Sequence, residues 1–191
     1  MRSPRTHRWI ALLVMGMALA APAIGGAAAE STPRAAPVVG AEFLISDIGA
    51  AADESAAAVA ANGTGYLVVW EDLRDQETTG TDIYGQMVSA TGTLVGDDFR
   101  ISDSPASSNE VTPAVGWNGS EYLVVWSDGR KVAQRGTDIY GRRVSAAGNP
   151  LEAGFRITGA GALGFESSPA AAWDGTGYLV VWEDSRNDPE R

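Results

Sequence analysis

Five apolar residues in a row, Tyr66-Leu67-Val68-Val69-Trp70, stand out from the mixed apolar and polar positions on either side. The run returns as Tyr122-Leu123-Val124-Val125-Trp126 and as Tyr178-Leu179-Val180-Val181-Trp182, 56 residues apart each time. A strand with one wet face alternates with period two. Unbroken apolarity marks a strand covered on both faces, and the β-branched and aromatic content excludes a helix at this length.

The surrounding pattern repeats with the same period. A short apolar strand comes first: Phe43-Leu44-Ile45-Ser46, Phe99-Arg100-Ile101-Ser102, Phe155-Arg156-Ile157-Thr158. In the last two, Phe and Ile alternate with Arg, so one face is buried and the other wet. A loop follows, ending near Glu54, Glu110 and Glu166. Next is a strand of small residues, Ala58-Val59-Ala60, Ala114-Val115-Gly116 and Ala170-Ala171-Ala172. It leads into Asn62-Gly63, Asn118-Gly119 and Asp174-Gly175, turns that tolerate the positive φ of a hairpin. After the apolar strand, polar loops over 73–81 and 129–137 lead to Asp82–Ser89 and Asp138–Ser145, strands with Gly85 and Gly141 inside. A glycine there marks a bulge or a close neighbour.

Four short up-and-down strands per repeat predict an all-β fold, a partial β-propeller of four-stranded antiparallel blades. The units span about 43–98, 99–154 and an incomplete 155–191, some two and a half repeats. The small-residue strand is expected innermost, where blades crowd the axis, and the apolar strand between neighbouring blades. The chain starts with the strand that otherwise ends a blade, as in propellers whose ring is closed from both chain ends.

The motif Trp-Glu-Asp-x-Arg, followed by Asp-Ile-Tyr-Gly and Val-Ser-Ala-x-Gly, resembles repeats of large secreted bacterial proteins. These are similar to the propeller-type repeats of the TolB protein and, more distantly, of sialidase-like and WD40-like proteins. The resemblance covers residues 43–191 and implies a propeller without naming a role. The sialidase Asp-box is missing, and the period exceeds the roughly 40–45 residues of WD40 repeats. Because propellers need about four to eight blades, the chain reads as a fragment of a longer propeller; assembly of several copies into a ring is the alternative.

Arg2, Arg5 and Arg8 precede an apolar run over Trp9–Ala21 and the small residues Ala27-Ala28-Ala29, the pattern of a secretory signal peptide over 1–29. An uncleaved membrane anchor is the alternative, although the run is short for a span of roughly 20 residues. Residues 30–42 read as a flexible leader, and 43–191 as the repeats. A secreted or periplasmic location follows. Losing the three arginines takes the formal net charge from −10 to −13. So acidic a surface repels nucleic acid and anionic lipid, which leaves protein or carbohydrate as partners.

The chain has no cysteine, and its one histidine, His7, lies in the signal peptide. Ser-His-Asp and Cys-His catalysis and His/Cys zinc ligation are therefore excluded from the mature repeats. Asp72 with Arg74, Asp128 with Arg130 and Asp184 with Arg186 recur at one point of the repeat, two residues apart and so on one side of a strand. They are expected to be structural pairs. Glu71, Asp82, Asp138 and Glu183 place further carboxylates near the same loops, and calcium takes six to eight oxygens, so it is the one cofactor considered; no EF-hand pattern is present. Trp117 and Trp173, replaced by Ala61 in the first unit, are the aromatics best placed to face a ligand. Paired carboxylates hydrolyse glycosides, but a catalytic acid should break the repeat symmetry and none does. No catalytic residue is assigned. The expected function is an exported, non-catalytic binding or scaffolding module; the alternative is a fragment of a glycan-active propeller enzyme without its catalytic part.

Overall fold

The computed structural model describes residues 10–11, 14–15, 38–46, 53–103, 108–159, 161 and 163–186. Four two-residue strands come first. β1 (Ile10–Ala11) pairs with β4 (Phe43–Leu44), and β2 (Val14–Met15) with β3 (Val38–Val39). Blade 1 then follows as β5 (Glu54–Ala61), β6 (Gly65–Asp72), β7 (Asp82–Ser89) and β8 (Leu94–Arg100), antiparallel and in that spatial order. Blade 2 repeats it with β9 (Glu110–Trp117), β10 (Glu121–Asp128), β11 (Asp138–Ser145) and β12 (Phe155–Arg156). Blade 3 consists of β13 (Glu166–Trp173) and β14 (Tyr178–Asp184). The Phe-Arg strands that open the second and third sequence units thus close the preceding sheets. The loop over 129–137, expected to be irregular, holds a single helical turn, α1 (Val132–Arg135). Among the described residues no helix is long and apolar enough to cross a membrane.

The hairpins form for a local reason. Asn62 Oδ1 accepts the backbone N–H of Thr64 and Gly65, and Asn118 and Asp174 do the same for the residues two and three ahead. The side chain holds the turn while Gly63, Gly119 and Gly175 take the positive φ. In each third strand the glycine marks a close approach: a Cβ on Gly85 would stand 2.7 Å from Ile101 Cδ1, and one on Gly141 3.0 Å from Ile157 Cδ1.

The apolar strands separate into two faces, as their period requires. Leu67, Val69 and Ile83 of blade 1 pack on Tyr122, Val124 and Trp126 of blade 2 in one buried cluster. Leu123, Val125 and Ile139 of blade 2 meet Tyr178, Val180 and Trp182 of blade 3 in another. Val68 and Trp70, on the other side of blade 1, are covered by Phe43 and Ile45. β6 and β10 are therefore buried on both faces, whereas Leu179 and Val181 of blade 3 stay exposed.

Backbone hydrogen bonds tie each loop to the next inner strand. Ser108 N donates to Thr79 O and Glu110 N to Thr81 O; Gly164 N donates to Arg135 O and Glu166 N to Thr137 O. Gly80 and Gly136 lie at these junctions with φ +87°, and a Cβ on Gly136 would sit 1.8 Å from the Gly164 carbonyl oxygen. Gly119, at φ +99°, has open space around it. Gly136→Ala is accordingly expected to cost on the order of 2 kcal/mol or more, and Gly119→Ala only the backbone penalty of about 1 kcal/mol. Thermal denaturation of the two variants checks the order.

Candidate functional site

One end of each blade gathers the ionisable groups. The register lines up Glu54, Asp72 and Asp82 across β5, β6 and β7, and Glu110, Asp128 and Asp138 across β9, β10 and β11. β13 and β14 continue the band with Glu166 opposite Asp184. All eight come from acids that recur with the repeat.

The Trp-x-Asp-x-Arg motif forms a closed polar unit. Asp72 accepts the Trp70 indole N–H at 3.0 Å, the backbone N–H of Arg74 at 2.9 Å, and the Arg74 guanidinium at 2.9 and 2.7 Å. Arg74 also reaches Asp98 and lies over the Tyr84 ring, 4.0 Å from its centroid. Asp128 repeats this with Trp126, Arg130 and Tyr140, with Asp103 as the second acid at 3.4 Å. In blade 3 the pair of Asp184 and Arg186 persists at 2.5 Å, out in solvent. The carboxylates of Asp72 and Asp128 have their acceptor capacity filled within the blade. Trp117 and Trp173, half-buried, lie on Tyr122 and Tyr178 with ring centroids 4.6 and 5.0 Å apart, and Trp117 packs against the core between blades 1 and 2.

The acids considered for calcium are held apart by other partners. Glu71 joins Ser55 of its own blade to the Thr112 N–H of the next. Asp82 is bound by Thr79, Ser102 and Arg100, and Asp138 by Arg135 and Thr158. Glu183 accepts a long bond from Ser167. Among the described residues no three acids converge where a cation could sit.

The sequence reading missed the inner-strand glutamates, named only as loop ends, although their recurrence at 54, 110 and 166 was a signal. All three are buried. Each opens an inner strand next to a bulge, where Ala56, Thr112 and Ser168 take φ of 52–54°. Burial raises the Glu54 carboxyl above its ordinary range despite the Ser46 hydroxyl, and raises Glu166, which stands beside Asp138 and Asp184. Glu110 is pushed up to about 8, by burial first and then by the Asp128 and Asp82 carboxylates, against the hydrogen bond from Ser108. Its Oε2 meets no donor among the described residues.

No family model matches the chain, and no curated protein does. Solved structures do. An α-L-arabinanase of Penicillium chrysogenum complexed with arabinobiose matches with a TM-score of 0.55 at 19% identity, over 74% of this chain and 45% of its own. An α-L-arabinofuranosidase of Fusarium graminearum bound to an iminosugar inhibitor gives 0.55 at 14% identity, again over 74% and 45%, and its arabinobiose complex 0.54 at 14%, over 76% and 46%. The chain spans less than half the length of these structures. The likeness supports the all-β, propeller-type fold; it does not single out the TolB or WD40 type of repeat. It also corrects the expected non-catalytic module and the expectation of no enzyme, since the matched structures are an arabinanase and an arabinofuranosidase. The argument against catalysis rested on the symmetry of the acids, and symmetry within three blades is silent about acids carried elsewhere in a ring.

Asp128→Ala is expected to cost about 3–5 kcal/mol, since it strands the Trp126 N–H and a half-buried guanidinium, while Asp184→Ala hardly moves the melting temperature. Differential scanning calorimetry separates the two. For Glu110, whose folded pKa lies above its unfolded one, stability is full below about pH 4.3 and is lost as the pH rises toward 8. Glu110→Gln should flatten that decline and raise Tm at pH 8 by roughly 2–4 °C.

Proposed function

We propose that these blades belong to a glycan-active propeller whose substrates are arabinose-containing oligosaccharides. The observation that carries this is the shared fold with arabinanase and arabinofuranosidase structures, two of which hold arabinobiose. Export fits the same reading, because a signal peptide over 1–29 would bring the protein to polysaccharide outside the cell.

The chemistry is glycoside hydrolysis by two carboxyl groups flanking the bond, one of them an acid with a raised pKa. Glu110 has the raised pKa but is fully buried, so no glycosidic oxygen reaches it. Asp72 and Asp128 are saturated by Trp and Arg donors. Glu110, Asp72 and Asp128 thus hold the scaffold, and the reading places the reacting pair outside them. The repeat's likeness to secreted bacterial propellers of the TolB type describes its motif and fits a scaffold on which such a site is mounted.

Titration of the full chain with arabinobiose, followed by calorimetry and by the shift in melting temperature, tests the substrate class. Saturable heat and a rise in Tm are expected for arabinobiose and not for xylobiose or cellobiose. Absence of both signals for every arabinose oligosaccharide would contradict it.

A further inference from the structure

The described residues hold four asparagines, and the fold treats them in two ways. Asn62 and Asn118 each precede a glycine at the tip of a hairpin. Gly63 and Gly119 are exposed, with φ of +88° and +99° and open space where a Cβ would stand. Asn62 Oδ1 accepts three hydrogen bonds, from the Thr64 N–H and hydroxyl at 2.9 Å each and from the Gly65 N–H at 2.8 Å. Asn118 Oδ1 does the same with the Ser120 N–H and hydroxyl at 2.9 and 3.0 Å and the Glu121 N–H at 2.8 Å. Among the described residues, neither the Nδ2 of these two asparagines nor the N–H of the glycine that follows has a hydrogen-bond partner.

The other two asparagines are set differently. Asn109 is followed by the buried Glu110, whose N–H donates to Thr81 O at 2.8 Å, and Asn109 Oδ1 accepts the Thr81 N–H. Asn149 is followed by Pro150, which has no N–H at all. The contrast matters because asparagine is thermolabile through its neighbour. The backbone nitrogen of the next residue loses its proton and bonds to the asparagine Cγ. The Cγ–Nδ2 bond breaks, ammonia leaves with that proton, and a five-membered succinimide ring closes. Water then opens the ring: attack at Cγ gives aspartate, and attack at the main-chain carbonyl gives isoaspartate.

We propose that Asn62 and Asn118 are sites of spontaneous deamidation in the folded protein, and that Asn109 and Asn149 are spared. Negative charge gathers on Oδ1 as the glycine nitrogen adds to Cγ, and the three donors already aimed at that oxygen stabilise it. Glycine brings no side chain to hinder the attack. The third unit already carries the product. Asp174, before Gly175, accepts the Thr176 N–H and hydroxyl at 2.7 and 2.8 Å and the Gly177 N–H at 2.9 Å, the same three bonds. Aspartate therefore fits this turn and adds one negative charge at the hairpin end of the blade. Isoaspartate instead inserts an extra main-chain atom between β5 and β6, or between β9 and β10.

The full chain is held at mildly alkaline pH while its far-UV spectrum stays constant, and peptide mass spectrometry follows each asparagine over time. The peptides with Asn62 and Asn118 should each gain one mass unit, with isoaspartate in part of the product. Conversion should quicken as the pH rises, because the attacking nitrogen must shed a proton. The peptides with Asn109 and Asn149 should stay unchanged. Gly63→Ala should slow conversion at Asn62 on the order of tenfold, because a methyl group now hinders the nitrogen, and leave Asn118 as it was. No mass gain at Asn62 and Asn118, an equal gain at Asn109 or Asn149, or a Gly63→Ala chain that converts at Asn62 as fast as its parent would each overturn the proposal.

Discussion

A strand that is apolar on both sides is stable in water only between two other sheets. Tyr122-Leu123-Val124-Val125-Trp126 meets that condition: Tyr122, Val124 and Trp126 face blade 1, and Leu123 and Val125 face blade 3. Burying a side chain of this size is worth about 1.5–3 kcal/mol, so several per strand outweigh the ordering of a short hairpin. No single blade can do this for itself. The face-to-face stacking sets the small residues of the inner strands, which let the blades approach, and the glycines at the junctions, where one blade's loop crosses the next blade's inner strand.

The polar groups follow from the same constraint. A Trp at the end of a doubly buried strand brings an indole N–H into the interior, and that donor needs an acceptor. Asp72 and Asp128 supply it, and Arg74 and Arg130 then neutralise the acids while stacking on Tyr84 and Tyr140. The buried Glu110 and Glu166 are the counter-case. Burial first, and then neighbouring carboxylates, hold their protons more tightly than usual.

Much of the fold was legible in the 56-residue recurrence. The unbroken apolar run marked the doubly buried strand, the Asn-Gly and Asp-Gly pairs marked the hairpins, and Gly85 and Gly141 marked close approaches. The Asp–Arg pairing was legible from its two-residue spacing. The inner-strand bulges were not, because no residue type distinguishes Ala56, Thr112 and Ser168 as positions of positive φ. Nor were Asp98 and Asp103 as partners of Arg74 and Arg130, since these contacts join residues 24 and 27 apart whose register depends on the folded loops. The function was misread in one direction: repeat symmetry argued for a module without catalysis, whereas the solved structures that share the fold are an arabinanase and an arabinofuranosidase.

Three leucines offer the most direct test of blade-on-blade shelter. Leu67, Leu123 and Leu179 share one local sequence and differ in whether a neighbouring blade covers them. Chemical denaturation of Leu67→Ala, Leu123→Ala and Leu179→Ala in dilute solution should show losses of about 2–5 kcal/mol for the first two and within about 0.5 kcal/mol for the third. Equal losses at all three positions would mean that the strand is stabilised within its own sheet, and that stacking of the blades is not what holds this fold together.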